Sequence, residues 1–359
     1  MNDFNICNNC VMDTTANDIY FDDKGKCNYC ADMKNNFIKP NLEDLLIEIK
    51  KFKKKNEYDC IVGLSGGVDS AWTLVKVIEM GLKPLAVHMD NGWNTELAQN
   101  NIHNLVKKLN VDLYTEVLDW DKYRSLMKSF FMSDVVDIEL LYDNAMFAAN
   151  YFQANKYNVK YILAGTNNST EGMRIPSMWN WYKYDKKNIK DINSKFEKIN
   201  LKNYPLFGTF DYIFLKFFKK IKWISFLDYI EYNKEESEKS LINNYNFKPY
   251  KYKHYESFFT KFYQSYILPK KFNIDKRKLH LSSLIVSNQI TRKEALKTLE
   301  SKPYNEDTIE DDINYFLKKM NWEIVDLENY MERKRKKHSY YKTELPMWES
   351  AIKIYKFFK

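Results

Sequence analysis

Ser65-Gly66-Gly67-Val68-Asp69-Ser70 stands between two unlike patterns, the apolar run Tyr58-Asp59-Cys60-Ile61-Val62-Gly63-Leu64 and the helical spacing of Ala71 to Met80. A strand, a glycine turn and a helix start, in that order, build an anion cradle. The glycines let backbone approach the anion, and the first free N–H groups of the helix point at it. A Walker A loop places Lys beside such a turn. This loop has none and carries Asp69 between the hydroxyls of Ser65 and Ser70.

Further apolar runs follow. Pro84 to Met89 ends in Asp90-Asn91-Gly92-Trp93, Val111 to Val117 ends in Leu118-Asp119-Trp120, and Val159 to Leu163 ends in Ala164-Gly165-Thr166-Asn167-Asn168. Helical spacing fills 69–80, 94–109 and about 134–156. Alternating strands and helices predict a parallel sheet with right-handed crossovers. Ligands of such sheets bind beyond the carboxyl ends of the strands. That brings Ser65–Ser70, Asp90 and Gly165–Asn168 to one crevice. Cys60 and His88 read as core residues on their strands.

Cys7-x-x-Cys10 and Cys27-x-x-Cys30 have the spacing of a four-thiolate zinc knuckle pair, with an Fe–S cluster or free thiols as alternatives. A closed four-cysteine site has no open position, so its expected role is to fold a short module. All five cysteines lie within the first 60 residues. In a cytoplasmic setting they read as ligands rather than disulfides. The polar N-terminus and the lack of any eighteen-residue apolar run predict neither a signal peptide nor a membrane span. The 359 residues suit about two domains. Hydrophobic residues at 45% suit a packed core, and a net charge of +8 suits anionic small substrates without demanding nucleic acid.

The Ser65–Ser70 loop resembles the PP-loop of the ATP pyrophosphatase superfamily. Two later segments extend the likeness, Lys253-His254-Tyr255-Glu256-Ser257 and Asp275-Lys276-Arg277-x-x-His280-Leu281-Ser282. With the Cys pairs and Leu163-Ala164-Gly165-Thr166-Asn167, they make residues 5–300 similar to the N-acetyl sugar amidotransferases of bacterial surface-polysaccharide and flagellar-glycan biosynthesis. One departure is Asn288, where that family carries Gly. The resemblance implies an α/β fold, a parallel-sheet adenine-nucleotide α-hydrolase-like domain over 41–185. A four-cysteine zinc module at 1–40 precedes it, and a mostly helical substrate or partner region at 186–359 follows.

It also implies roles. Ser65, Gly66, Gly67, Val68, Asp69 and Ser70 would hold the pyrophosphate of ATP, and the backbone near Val87 and Met89 the adenine. Asp90 would lie near the ribose or the reacting centre. Gly165, Thr166 and Asn167 would face the α-phosphate, with Asp69 and Glu171 as candidates for Mg²⁺. Asp69, Ser70, Lys253, His254, Arg277 and His280 are the catalytic candidates, with no general base chosen among them. Arg174, Trp179, Trp181 and Arg277, with Lys183, would line a pocket for an acidic sugar; an ordinary packed loop is the alternative for 172–187.

The implied reaction adenylates the acetamido oxygen of an N-acetylated acidic sugar of pseudaminic, legionaminic or related type and replaces it with ammonia, releasing AMP and pyrophosphate. No Cys follows Cys60, so ammonia would come from a separate glutaminase with a channel subunit. The alternatives are a tRNA thiolase of the same superfamily and a non-enzymatic zinc-ribbon nucleotide binder. Residues 206–230 read as an aromatic, Lys-bearing helix packed on its own domain, lying on a membrane surface or docking a partner. Residues 300–359 read as helical without a motif.

Overall fold

Two helices, α1 (Asn28–Asn35) and α2 (Leu42–Lys50), precede a sheet of five parallel strands. These are β1 (Cys60–Gly63), β2 (Pro84–Asp90), β3 (Leu113–Val117), β4 (Tyr161–Ala164) and β5 (Lys222–Ser225), in spatial order β3-β2-β1-β4-β5. Helices α3 (Val68–Glu79), α4 (Glu96–Leu109), α5 (Trp120–Ser133) and α6 (Leu140–Lys156) make the crossovers. The structure, a computed structural model, describes residues 4–35, 40–52, 57–250 and 255–357.

β1 is apolar on both faces because both are covered. Cys60 and Val62 face Leu74, Val75 and Leu105 of α3 and α4, while Ile61 faces Ala148, Ala149 and Tyr151 of α6. Cys60 and His88 are both buried, as their place on the strands implies. β1 pairs with β2 on one side (Cys60↔Pro84, Gly63↔Val87) and β4 on the other (Ile61↔Ile162). The chain steps outward to β2 and β3, then returns past β1 to β4. The carboxyl ends of β1 and β4 are therefore the switch point where such sheets bind ligands.

The structure corrects three expectations. Four strands become five, because 206–230 is not one helix. It runs as a helix at Thr209–Ile213, a π-helical turn at Phe214–Phe218, β5, and a 3₁₀ turn at Phe226–Tyr229. β5 pairs Tyr161↔Lys222 through Ala164↔Ser225, so the sheet extends past the expected limit at 185. The helix expected at 134–156 starts only at Leu140; the preceding α5 ends at Asp134, whose left-handed φ of 58° stops it.

The cysteine segment shares a core with the C-terminal half. Cys7, Cys10, Cys27 and Cys30 join Phe130 and Phe131 of α5, Trp179, and Phe259, Phe262 and Phe316 of later helices in one apolar cluster. Those helices are short: Phe258–Phe262, Leu268–Phe272, Arg277–Val286, Arg292–Glu300, Ile309–Met320, Ile324–Glu332 and Leu345–Phe357.

Candidate active site

The Ser65–Ser70 loop closes on itself. Ser70 Oγ accepts from Ser65 N–H at 3.1 Å, lies 3.0 Å from Ser65 Oγ, and donates to the Gly67 carbonyl at 3.1 Å. Gly66 takes φ +89°, and a Cβ there would meet the Ala98 carbonyl at 3.0 Å. Gly67 caps α3 in extended conformation with no side-chain bond to the first N–H groups of α3, which leaves the helix start suited to an anion.

Acidic residues flank the cradle on two sides. On the β4 side, Tyr232 donates to Asp69 Oδ1, and Thr170 Oγ1 lies 3.5 Å from Asp69 Oδ2. Burial first, then the Asp69 charge, pushes the Tyr232 hydroxyl far above its usual pKa, and the Glu171 charge adds to it. Asp69 and Glu171, the two magnesium candidates, therefore share one environment. Gly165 packs under the start of α3, and Asn167 caps the short helix Asn168–Glu171 by accepting from Thr170 N–H at 2.8 Å. Thr166 Oγ1 sits 2.9 Å from Ser225 Oγ at the end of β5.

On the other side, β2 runs past its last partner on β1 and carries Met89 and Asp90 beyond the central strand. Asp90 accepts from Gly92 N–H at 2.8 Å and from Asn94 at 3.4 Å. Burial lowers the His88 pKa, its Nδ1 lies 2.8 Å from the Leu64 carbonyl oxygen, and its Nε2 lies 3.0 Å from Asn94 Nδ2. The Val87 carbonyl accepts from Leu64 N–H at 2.8 Å, so this candidate adenine contact is used within the sheet.

The C-terminal half reaches over the loop. Tyr250 donates to the Gly66 carbonyl at 2.9 Å, Asn101 bonds both N–H and C=O of Lys248, and Thr95 N–H donates to the Glu256 carbonyl at 3.0 Å. The Glu256 carboxylate stands 3.4 Å from where a Cβ on Gly67 would be. Lys253 and His254 lie outside the described residues, between these two contacts in sequence. Tyr232, Tyr250 and Glu256 were not singled out by sequence reasoning. Only Glu256 had a signal, its place in the Lys253–Ser257 motif.

Several expected substrate residues are committed elsewhere. Arg174 bonds Asp18 at 2.8 Å and Asp32 at 3.2 Å and lies over the Tyr29 ring, so it fastens the cysteine segment. Trp179 is buried in the shared core. Trp181 donates to Asp185 at 2.9 Å and stacks on His338 with centroids 5.0 Å apart. Lys183 is paired with Asp137 at 2.6 Å and Asp143 at 2.7 Å. The pocket expected at 172–187 is thus a packed loop.

Arg277 grips Asp275 at 2.7 Å and the carbonyls of Ser301 and Thr298. It begins the helix whose far end touches the crevice, where Ser287 donates to the Ser169 carbonyl at 2.8 Å. Ten residues of helix place Arg277 about 15 Å from that contact. His280 stands on the same helix, one turn in. Asn288, where the resemblance has Gly, adopts a left-handed φ of 60°, which Asn tolerates.

The four cysteine Sγ atoms are buried and lie within 4.8 Å of one another. Cys7–Cys30 is 3.9 Å and Cys10–Cys27 3.7 Å. A zinc ion about 2.3 Å from four sulfurs separates them by about 3.8 Å, so the set fits a single tetrahedral ion. The Cys10 and Cys27 N–H groups donate to Cys7 Sγ, and Asn9 Nδ2 donates to Cys30 Sγ, which suits thiolate charge. Arg292 holds this knuckle from outside, donating to the Cys7 and Cys10 carbonyls at 2.9–3.1 Å.

Residues 42–174 match the NAD synthase family, and residues 256–355 match the C-terminal domain of LPS biosynthesis protein WbpG-like proteins. No curated protein matches the chain. Among solved structures, an NMN synthetase from Francisella tularensis is 21% identical with a TM-score of 0.29, over 35% of this chain. This chain spans about half of that protein's length, 53%. An NH3-dependent NAD synthetase from Campylobacter jejuni is 15% identical with a TM-score of 0.30, covering 74% of this chain and 96% of its own. A U34-tRNA thiolase from Methanococcus maripaludis is 13% identical with a TM-score of 0.25, covering 67% and 82%. Among the described residues no helix is long and apolar enough to cross a membrane.

Proposed function

We propose that this chain, which matches the NAD synthase family over residues 42–174 and the WbpG-like C-terminal domain of LPS biosynthesis over residues 256–355, is an ATP-using PP-loop enzyme that converts the acetamido group of an N-acetylated acidic sugar to an acetamidino group. The acetamido oxygen attacks the α-phosphorus of ATP, and pyrophosphate leaves. Ammonia adds to the imidate carbon, and AMP departs with the original amide oxygen. The observation that carries this reading is the closed Ser65–Ser70 cradle at the switch point, with Tyr250 of the C-terminal half bonded to its Gly66 carbonyl. On this reading the nucleotide domain and the region that takes the second substrate meet there.

The chain's own residues supply binding and charge placement. The N–H groups at the start of α3 receive the departing pyrophosphate, where fixed dipoles stabilise developing charge. Asp69 and Glu171 would hold Mg²⁺, which supplies charge neutralisation on the phosphates when bound. The four-cysteine set would hold zinc in a closed site. Ammonia would arrive from a separate glutaminase through a channel subunit, since the sequence has no Cys beyond Cys60 to act as a nucleophile.

The test is incubation with ATP, Mg²⁺, ammonium and a panel of N-acetylated acidic sugars, followed by mass analysis. AMP and a product with one oxygen replaced by NH are expected. ADP formation, or thiolation of tRNA with no sugar turned over, would overturn the proposal. Asp69→Ala should lower turnover by about a hundred-fold, the scale of losing one preorganised group. Tyr232→Phe removes a donor to a charged carboxylate and should weaken ATP binding about ten-fold in a nucleotide titration. Unchanged affinity would make that hydroxyl purely structural.

A further inference from the structure

We propose that the outward face of residues 209–222 docks the protein on an anionic membrane surface. Four phenylalanines carry the face: Phe210 is 67% exposed, Phe214 40%, Phe217 45% and Phe218 74%. They share one side of a helix that turns Thr209, Tyr212 and Leu215 into the core beneath it. Aromatic side chains this exposed, and this close together, mark an interaction site.

The rim of the patch is cationic. Lys160, Lys216, Lys219 and Lys220 surround it, and no carboxylate pairs with any of them among the described residues. Lys160 donates to the Lys219 carbonyl at 3.1 Å, which draws these cations together. Burial and then the charges of Lys219 and Lys220 lower the Lys160 pKa, so the cluster lacks compensating negative charge. An anionic surface would provide it.

The residue types favour lipid over protein. Protein interfaces are depleted in Lys and enriched in Arg. Here the cations without a carboxylate are all Lys. Short helices with Phe on one side and Lys at the rim bury the aromatic side at the headgroup boundary, and each Lys adds attraction to anionic lipid.

The patch stands at the amino ends of β4 and β5, where Lys222 N–H bonds the Lys160 carbonyl at 2.8 Å. The crevice is at their carboxyl ends. Docking therefore turns the crevice away from the bilayer, and changes in the patch leave the catalytic machinery intact.

The test is sedimentation of the full chain with vesicles of phosphatidylglycerol mixed with phosphatidylcholine, against vesicles of phosphatidylcholine alone. Binding is expected only to the anionic vesicles, and it should fall with salt. The double variant Lys219→Gln/Lys220→Gln should bind about thirty-fold more weakly. The double variant Phe210→Ser/Phe218→Ser should also lose binding while keeping ATP-dependent turnover. Equal sedimentation with both vesicle types, or undiminished binding by the Phe variant, would overturn the proposal. So would concentration-dependent self-association that vanishes in the Phe variant without any vesicle binding, which would make the face a protein contact.

Discussion

Gly165→Ala is expected to lower ATP-dependent turnover by about a hundred-fold, the scale of a 1 Å displacement of a reacting group. A Cβ at 165 would stand 2.7 Å from Ser70 N, 2.8 Å from the Asp69 carbonyl carbon and 2.9 Å from Ser70 Cα. All three are backbone atoms of the first turn of α3, so no side chain can swing aside. β4 is buried along its length, and α3 is packed through Leu74, Val75 and Val77. The strain must then displace the loop, taking Asp69 and Ser70 with it. Gly81→Ala is the control. A Cβ there meets nothing within 4 Å, but the φ of +75° costs about 1–2 kcal/mol. It should lower the melting temperature and leave turnover per folded molecule unchanged. Turnover lost equally in both variants would show that position 165 acts through stability alone.

If the four-cysteine set holds zinc, as proposed, removing that ion should produce the largest loss of stability. Chelation, or Cys27→Ser, is expected to lower the melting midpoint by about 10 °C or more, given the folding energy that structural zinc supplies. The reason lies in what the knuckle supports. Its four cysteines sit in the same apolar cluster as Phe130, Trp179 and Phe316. Arg292 reads its carbonyls, Ser282 accepts from Val11 N–H at 3.3 Å, and Arg174 reaches Asp18 and Asp32 beside it. A loosened knuckle therefore exposes core shared with α5 and the C-terminal helices. Metal content by mass spectrometry, paired with thermal melting, checks this. A metal-free chain that melts unchanged would refute a structural role.

What was legible in the sequence was local. The Ser65–Ser70 loop, four of the strands and the two cysteine pairs each declare themselves within a few residues. β5 did not, because Lys222-Trp223-Ile224-Ser225 is short, and its strand identity comes from pairing with β4. The charges were legible as charges but not by partner. Arg174 looked available for a sugar, while Asp18 and Asp32 lie 156 and 142 positions away. Arg277 was spent on Asp275 and two carbonyls that no spacing rule announces. Tyr232 was invisible for the same reason, being 163 positions from the Asp69 it donates to.

The helix Arg277–Val286 ties three distant places together through Ser282, Ser283 and the adjoining Ser287, which meet Val11, Met173 and Ser169. Those partners leave the ribosome long before the serines do. Val11 waits 271 residues for Ser282, and the Cys7 carbonyl waits 285 for Arg292. The cysteine segment, made well before its partners, is thus among the last parts to be locked in place. Such long-range closure slows folding and leaves apolar surface uncovered in the nascent chain. Early metal capture by the thiols would hold that segment in shape until its fasteners emerge.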